Sequence, residues 1–281
     1  MRMPDRNDPL PGSGMRRALV SMIAALAFAP APAAAQEIEV DLELVLAVDV
    51  SGSMDPREHA AQRGGYIEAF RHREVIDAIT SGVTGKIAVA YVEWAGFPYQ
   101  DLVVPWMVID GVASAEAFAA ALEAAPVNEF SGTSISAGLD FAAGRFDGNG
   151  VSAIRRVIDV SGDGPNNRGR PVTDARREVI ARGITINGLP IVLGRAGGSL
   201  STDLLTPYYQ DCVIGGPGAF LIAVDDIGRL PEAIRRKLVL EIVSRPAPAH
   251  AAALAVIRAE ATRPIDCLIG EKLRRRWYDD P

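Results

Sequence analysis

Five side chains spread over residues 49–163 are of the types that would hold one small cation. "VDVSGS" places Asp49, Ser51 and Ser53 at alternate positions, Thr133 stands in "FSGTS", and Asp163 stands in "SGDG". All five offer oxygen; none offers sulfur or imidazole. Hard dications of the Mg²⁺ kind prefer such donors, with Mn²⁺ and Ca²⁺ as alternatives. Two carboxylates balance the ion, while hydroxyls coordinate without adding charge. An ion so held keeps exchangeable water, which an incoming carboxylate can displace. Gly52, Gly132, Gly162 and Gly164 let the backbone turn tightly around such a centre.

Something must bring these loops together. "LELVLAVD" at 42–49 is a near-continuous apolar run, which predicts a strand covered on both faces. Asp55, Pro56 and Glu58 open a helix as N-cap, first-turn proline and capping-box partner, and that helix is expected to reach Ile79. Gly64-Gly65 is its weak point or a site of close packing. Strands at 86–96 and 101–109 lie close enough for an antiparallel hairpin, and Pro105 puts the second at an edge. Helices are expected at 114–125, with Ser114 as N-cap, and at 134–146. A strand at 155–162, a helix at 172–183 and strands at 184–193 and 219–224 follow, then an amphipathic helix at 226–244. This alternation predicts an α/β fold: a doubly wound, mostly parallel six-stranded sheet with one antiparallel edge strand and helices on both faces. Such sheets bind ligands at the carboxyl ends of their strands, where Asp49 falls.

With three loops in this order, the chain resembles a von Willebrand factor type A domain carrying a metal-ion-dependent adhesion site. The resemblance covers roughly residues 41–244. "RRVIDVSGDGPNN", "GITINGLPI" and "VIGGPGAF" further resemble recurring segments of an exported, largely uncharacterised bacterial subfamily. The resemblance implies that Ser51, Ser53 and Thr133 coordinate directly, and that Asp49 and Asp163 often act through water. It also implies a protein partner whose Asp or Glu completes the coordination. A non-enzymatic binding module of the bacterial envelope is therefore expected. The alternatives are an envelope assembly scaffold with a structural metal and a Mg²⁺-dependent hydrolase. Against the hydrolase, no histidine falls near the three loops in sequence and no second carboxylate pair is visible. "VSGSM" is also not the G-x-S-x-G turn of a serine nucleophile.

The ends of the chain speak to location. Met15-Arg16-Arg17, the apolar "ALVSMIAALAFAP" and "APAAAQ" read as an export signal at 1–35 with cleavage after Ala35. A periplasmic or secreted protein follows, with no stable membrane span once the signal is removed. Met15 is an alternative start that would leave residues 1–14 untranslated. Residues 1–35 hold four arginines and two aspartates, so of the net charge of −6 the rest of the chain carries −8. That balance argues against nucleic acid and anionic membranes as partners. Cys212 and Cys267 either pair as one disulfide, which export favours, or stay as separate thiols. His59, His72 and His250 lack zinc spacing and read as surface residues.

Four features stay open. Asp159 sits inside a strand and requires a hydrogen-bonding partner or a proton if buried. Glu93-Trp94 poses the same problem, with packing favoured. Asn166 and Asn167 lie near the predicted site and read as loop formers. "VIGGPGAF" fails as a phosphate loop and reads as a tight turn beside the metal face. Residues 245–281 are expected to be a linker and C-terminal tail, with the basic "KLRRRWYDD" a solvated end.

Overall fold

The apolar run at 42–49 becomes the central strand because both of its faces are covered. The computed structural model of the chain describes residues 37–193, 202–244 and 265–279. The expected export signal, its cleavage point, His250 and residues 245–264 of the linker lie outside these. After a short strand β1 (Ile38–Val40), β2 (Leu42–Asp49) is buried along its whole length. The helices α1 (Pro56–Arg71) and α2 (Arg73–Thr80) lead to β3 (Ile87–Trp94), β4 (Gln100–Ile109) and α3 (Val112–Ala124). Next come α4 (Ile135–Gly144), β5 (Val151–Ala153), β6 (Arg156–Gly162), α5 (Val172–Ala181) and β7 (Ile184–Pro190). The short α6 (Thr202–Tyr208) runs into a π-helical turn, Tyr209–Val213, and α7 (Leu230–Val243) and α8 (Ile269–Asp279) complete the described elements. No helix among the described residues is long and apolar enough to cross a membrane.

The main sheet has the order β4-β3-β2-β6-β7, with only β4 antiparallel. Leu42, Leu44, Leu46 and Val48 pack with residues of α1, α2, α3 and α7. The alternate residues Val45 and Ala47 pack with α4, α5 and the π turn. The period of two thus divides one strand between two cores. The sheet has five strands rather than the expected six. Residues 219–224 follow β7 only through isolated bridges, Gly188 to Leu221 and Ile191 to Val224. The Asn187 side-chain oxygen takes the Phe220 N–H at 3.0 Å, and Pro190, between the two bridges, has no N–H to donate. A separate two-stranded parallel sheet, β1 with β5, was not legible in the sequence.

Several local expectations are met and several are corrected. Asp55 and Glu58 form the capping box of α1. That helix ends at Arg71 rather than Ile79, because the His72 Nδ1 accepts the Glu74 N–H and starts α2. Gly65 is a point of close packing: a β-carbon there would lie 2.6 Å from the Ile234 Cδ1 of α7. Ser114 is not an N-cap but sits one turn inside α3, where its hydroxyl accepts the N–H groups of Asp110 and Gly111. His59 is not a surface residue, being only 4% exposed on the inner face of α1. "VIGGPGAF" lies beside the first residues of β7, with Gly216 against Thr185, and so away from the strands' carboxyl ends.

The mid-strand Asp159 finds its partner on α7. The Lys237 Nζ lies 2.5 Å from the Asp159 Oδ1 and from the Glu241 Oε1, and the Asn187 amide donates to the same Glu241 oxygen. Glu93 pairs with Arg63, whose guanidinium also donates to the carbonyls of Ala125 and Pro126. Burial raises the Glu93 pKa, and the Arg63 charge opposes that rise.

Trp94, fully buried at the end of β3, is packed by α4. A β-carbon on Gly138 would come within 2.8 Å of the Trp94 Cγ. The indole cannot move aside in a closed core, so Gly138→Val is expected to cost about 1–3 kcal/mol, read by urea unfolding. An unchanged midpoint would show that α4 can shift instead.

Candidate metal centre

Asp49, Gly162 and the loops after them stand where the sheet's strand order reverses. β2 is the reversal point: the chain adds β3 on one side and β6 on the other. Ligands of open α/β sheets bind at the carboxyl ends of strands at such a point. Asp49 is the last residue of β2 and is completely buried. Its Oδ1 accepts the Ser51 N–H at 2.8 Å, so the carboxylate shapes the turn that follows it. The Ser51 and Ser53 hydroxyls lie 2.9 Å apart, and the Ser53 hydroxyl donates to the Asp163 Oδ1 at 2.6 Å. The first and third loops therefore meet through side chains.

The second loop is sewn to both by its backbone. Phe130 accepts the Gly52 N–H and donates its own N–H to the Val50 carbonyl. The N–H groups of Asn167 and Arg168 donate to the Thr133 carbonyl, and the Asn167 side-chain oxygen accepts the Thr133 N–H at 3.0 Å. Gly132 has φ +84°, and the Arg168 side chain occupies the space a β-carbon would need. Ser134, not Thr133, caps α4 by accepting the Ala137 N–H. Capping therefore does not account for the Thr133 side chain, which is 4% exposed.

Two observations decide what this pocket of oxygens suits. The Asp49 Oδ2 is buried with no hydrogen-bond partner. Burial, and then the Asp163 carboxylate, push the Asp49 pKa well above the usual carboxylate range. A cation would relieve both penalties at once, because it supplies the missing partner and cancels the like charges. The donors that meet, two carboxylates and the Ser51 and Ser53 hydroxyls, match a hard dication, and Thr133 is held beside them by its backbone. The residues present fit such an ion. Among the described residues no cluster of three or more His, Cys, Asp or Glu forms a second metal site.

A family described as a protein of unknown function, DUF1194, matches residues 39–246. The chain belongs to this family. No curated protein matches it in sequence. The DUF1194 chain has the fold of a von Willebrand factor type A domain. Proximal thread matrix protein 1 from the mussel byssus superimposes with a TM-score of 0.55 at 14% identity, over 73% of this chain and 49% of that one. Another structure of the mussel protein, with a zinc-occupied MIDAS motif, gives 0.55 at 14%, over 73% and 48%. A von Willebrand factor type A protein from Catenulispora acidiphila gives 0.50 at 20%, over 73% and 43%. The DUF1194 chain thus spans less than half the length of these proteins, and at such identities the likeness concerns the fold.

Several residues around the centre escaped sequence reasoning. Asn166 and Asn167 do more than form a loop: Asn167 holds Thr133 and the Asn166 Oδ1 accepts the Ser136 N–H. Their adjacency to Asp163 was the available signal. Cys212 and Cys267 form a disulfide with an S–S distance of 2.01 Å. It anchors a stretch expected to be a solvated tail. There α8 docks on the third loop: the Glu271 Oε1 accepts the Asn166 amide at 2.8 Å, and Arg274 donates to the Asn167 carbonyl. His59 lies inside the fold rather than at its surface, and burial holds its pKa below the usual value.

Proposed function

We propose that this DUF1194 domain is a non-enzymatic, divalent-metal-dependent binding module of the bacterial envelope. Asp49, Ser51, Ser53, Thr133 and Asp163 would hold a Mg²⁺ ion, or Mn²⁺ or Ca²⁺, and an Asp or Glu of a protein partner would complete the coordination. The observation that carries this reading is the buried, unpartnered Asp49 Oδ2 at the meeting of three loops rich in hydroxyls. The mussel protein's zinc-occupied motif supports a divalent ion on this fold. The bound ion would supply a Lewis-acidic position that accepts a carboxylate. Asp49 forms the dry floor, whereas Ser53 lies exposed at the rim, so the pocket opens toward a partner. The signal-like N-terminus and the disulfide support an exported location.

A hydrolase would need a base at that rim. His59 is 4% exposed, so it is covered rather than poised there. The test is a pulldown from envelope extract with and without Mg²⁺, with Asp49→Ala as control. Partner capture should disappear with EDTA and in the variant, whose metal affinity should fall by more than ~100-fold. Capture that survives EDTA would overturn the reading. Metal that raises Tm while an acidic peptide adds nothing would favour a scaffold with a structural ion.

A further inference from the structure

A second unpartnered polar atom faces the first. The Tyr209 hydroxyl is completely buried and, like the Asp49 Oδ2, has no hydrogen-bond partner. The two converge on one spot: a β-carbon at Gly162 would lie 2.8 Å from the Asp49 Oδ2 and 2.9 Å from the Tyr209 hydroxyl. A second glycine clears the way for the ring, since a β-carbon at Gly188 of β7 would lie 3.0 Å from the Tyr209 Cδ1. Two neighbouring strands therefore lack side chains where the tyrosine crosses them. An alanine at either position would push the ring or the carboxylate away.

The backbone that delivers Tyr209 is unusual and firmly held. The ring belongs to the first residue of the π-helical turn, a form found often at functional sites. Cys212, in the same turn, is bonded to Cys267. The preceding Tyr208 hydroxyl accepts the Asn166 N–H at 3.1 Å, tying the turn to the third loop.

We propose that Tyr209 is a positioning residue of the metal centre, its hydroxyl closing on the Asp49 Oδ2 when an ion is bound and orienting that carboxylate toward it. This rests on the metal-binding reading above. A phenol suits the task because it donates a proton without adding charge beside two carboxylates. Groups that orient a metal ligand typically account for 10–100-fold in affinity.

The test is Tyr209→Phe in the full mature chain with its disulfide intact, titrated calorimetrically with Mn²⁺ alone. Affinity should fall about 10-fold or more, while the metal-free Tm stays level or rises, because the hydroxyl has no protein partner to lose. Mn²⁺ should also perturb tyrosine absorption in the wild type and in Tyr208→Phe, but not in Tyr209→Phe. Unchanged Mn²⁺ affinity in Tyr209→Phe beside a binding wild type would overturn this inference alone. A metal-free Tm that falls together with affinity would also overturn it, making Tyr209 a packing residue. A wild type that binds no Mn²⁺ would overturn the metal reading itself.

Discussion

Lys237→Met is expected to destabilise the domain by about 3–5 kcal/mol at pH 8. That is a large share of the ~5–15 kcal/mol that separates folded from unfolded domains. Lys237 is fully buried between Asp159 of β6 and Glu241 of its own helix. Removing it strands two carboxylates in one dry site, and one oxygen of Glu241 already has no partner. Replacing a whole buried ionic cluster with apolar residues can be neutral, but deleting one member leaves charge without compensation.

The cost should depend on pH. Burial and the Asp159 charge raise the Glu241 pKa to about 7. A carboxyl whose folded pKa exceeds its unfolded one gives stability that is complete below the unfolded pKa. That stability is lost as pH rises through the folded value. The wild type should therefore lose stability between about pH 4.5 and 7 through this group, and Glu241→Gln should flatten that slope. In Lys237→Met the penalty should shrink toward pH 5, where the stranded carboxylates take up protons. Urea unfolding at pH 5 and pH 8 measures both effects. A loss under about 1 kcal/mol at pH 8 would mean that Lys237 does not neutralise the pair.

Metal should stabilise the folded domain, and more so as pH rises. The folded Asp49 pKa lies above its unfolded value because of burial and the Asp163 charge. By the same linkage, the metal-free domain loses stability as pH climbs through the folded Asp49 pKa. A dication competes with that proton, so it adds little at low pH and its full effect above the folded pKa. At a metal concentration 100 times Kd the gain is about 2.7 kcal/mol. Subtracting metal-free from metal-loaded stability at each pH removes the separate Glu241 slope. Thermal unfolding with EDTA or Mg²⁺ over a series of pH values tests this, with Asp49→Ala expected to abolish the increment. An increment that does not grow with pH, or one retained in Asp49→Ala, would contradict the proposed ligand set.

The sequence by itself determined the central strand, the capping box at Asp55, the antiparallel edge strand and the order of the three oxygen-bearing loops. These depend on local patterning: an unbroken apolar run, a cap spacing of three, a proline that cannot serve a central ladder. The five proposed ligands were named from residue chemistry and from the place of their loops after strands and before helices. What sequence could not supply was any relation between residues distant along the chain. Asp159 was legible as a problem but not as one leg of a bridge to Lys237, because the pairing exists only once α7 packs on the sheet. The predicted sixth strand is reduced to isolated bridges at Gly188 and Ile191, between which Pro190 has no N–H to give a ladder. Tyr209 was invisible for the same reason as the Lys237 bridge. Its hydroxyl and the Asp49 Oδ2 converge on Gly162 only because Gly162 and Gly188, on neighbouring strands, leave room at a place that tertiary packing creates.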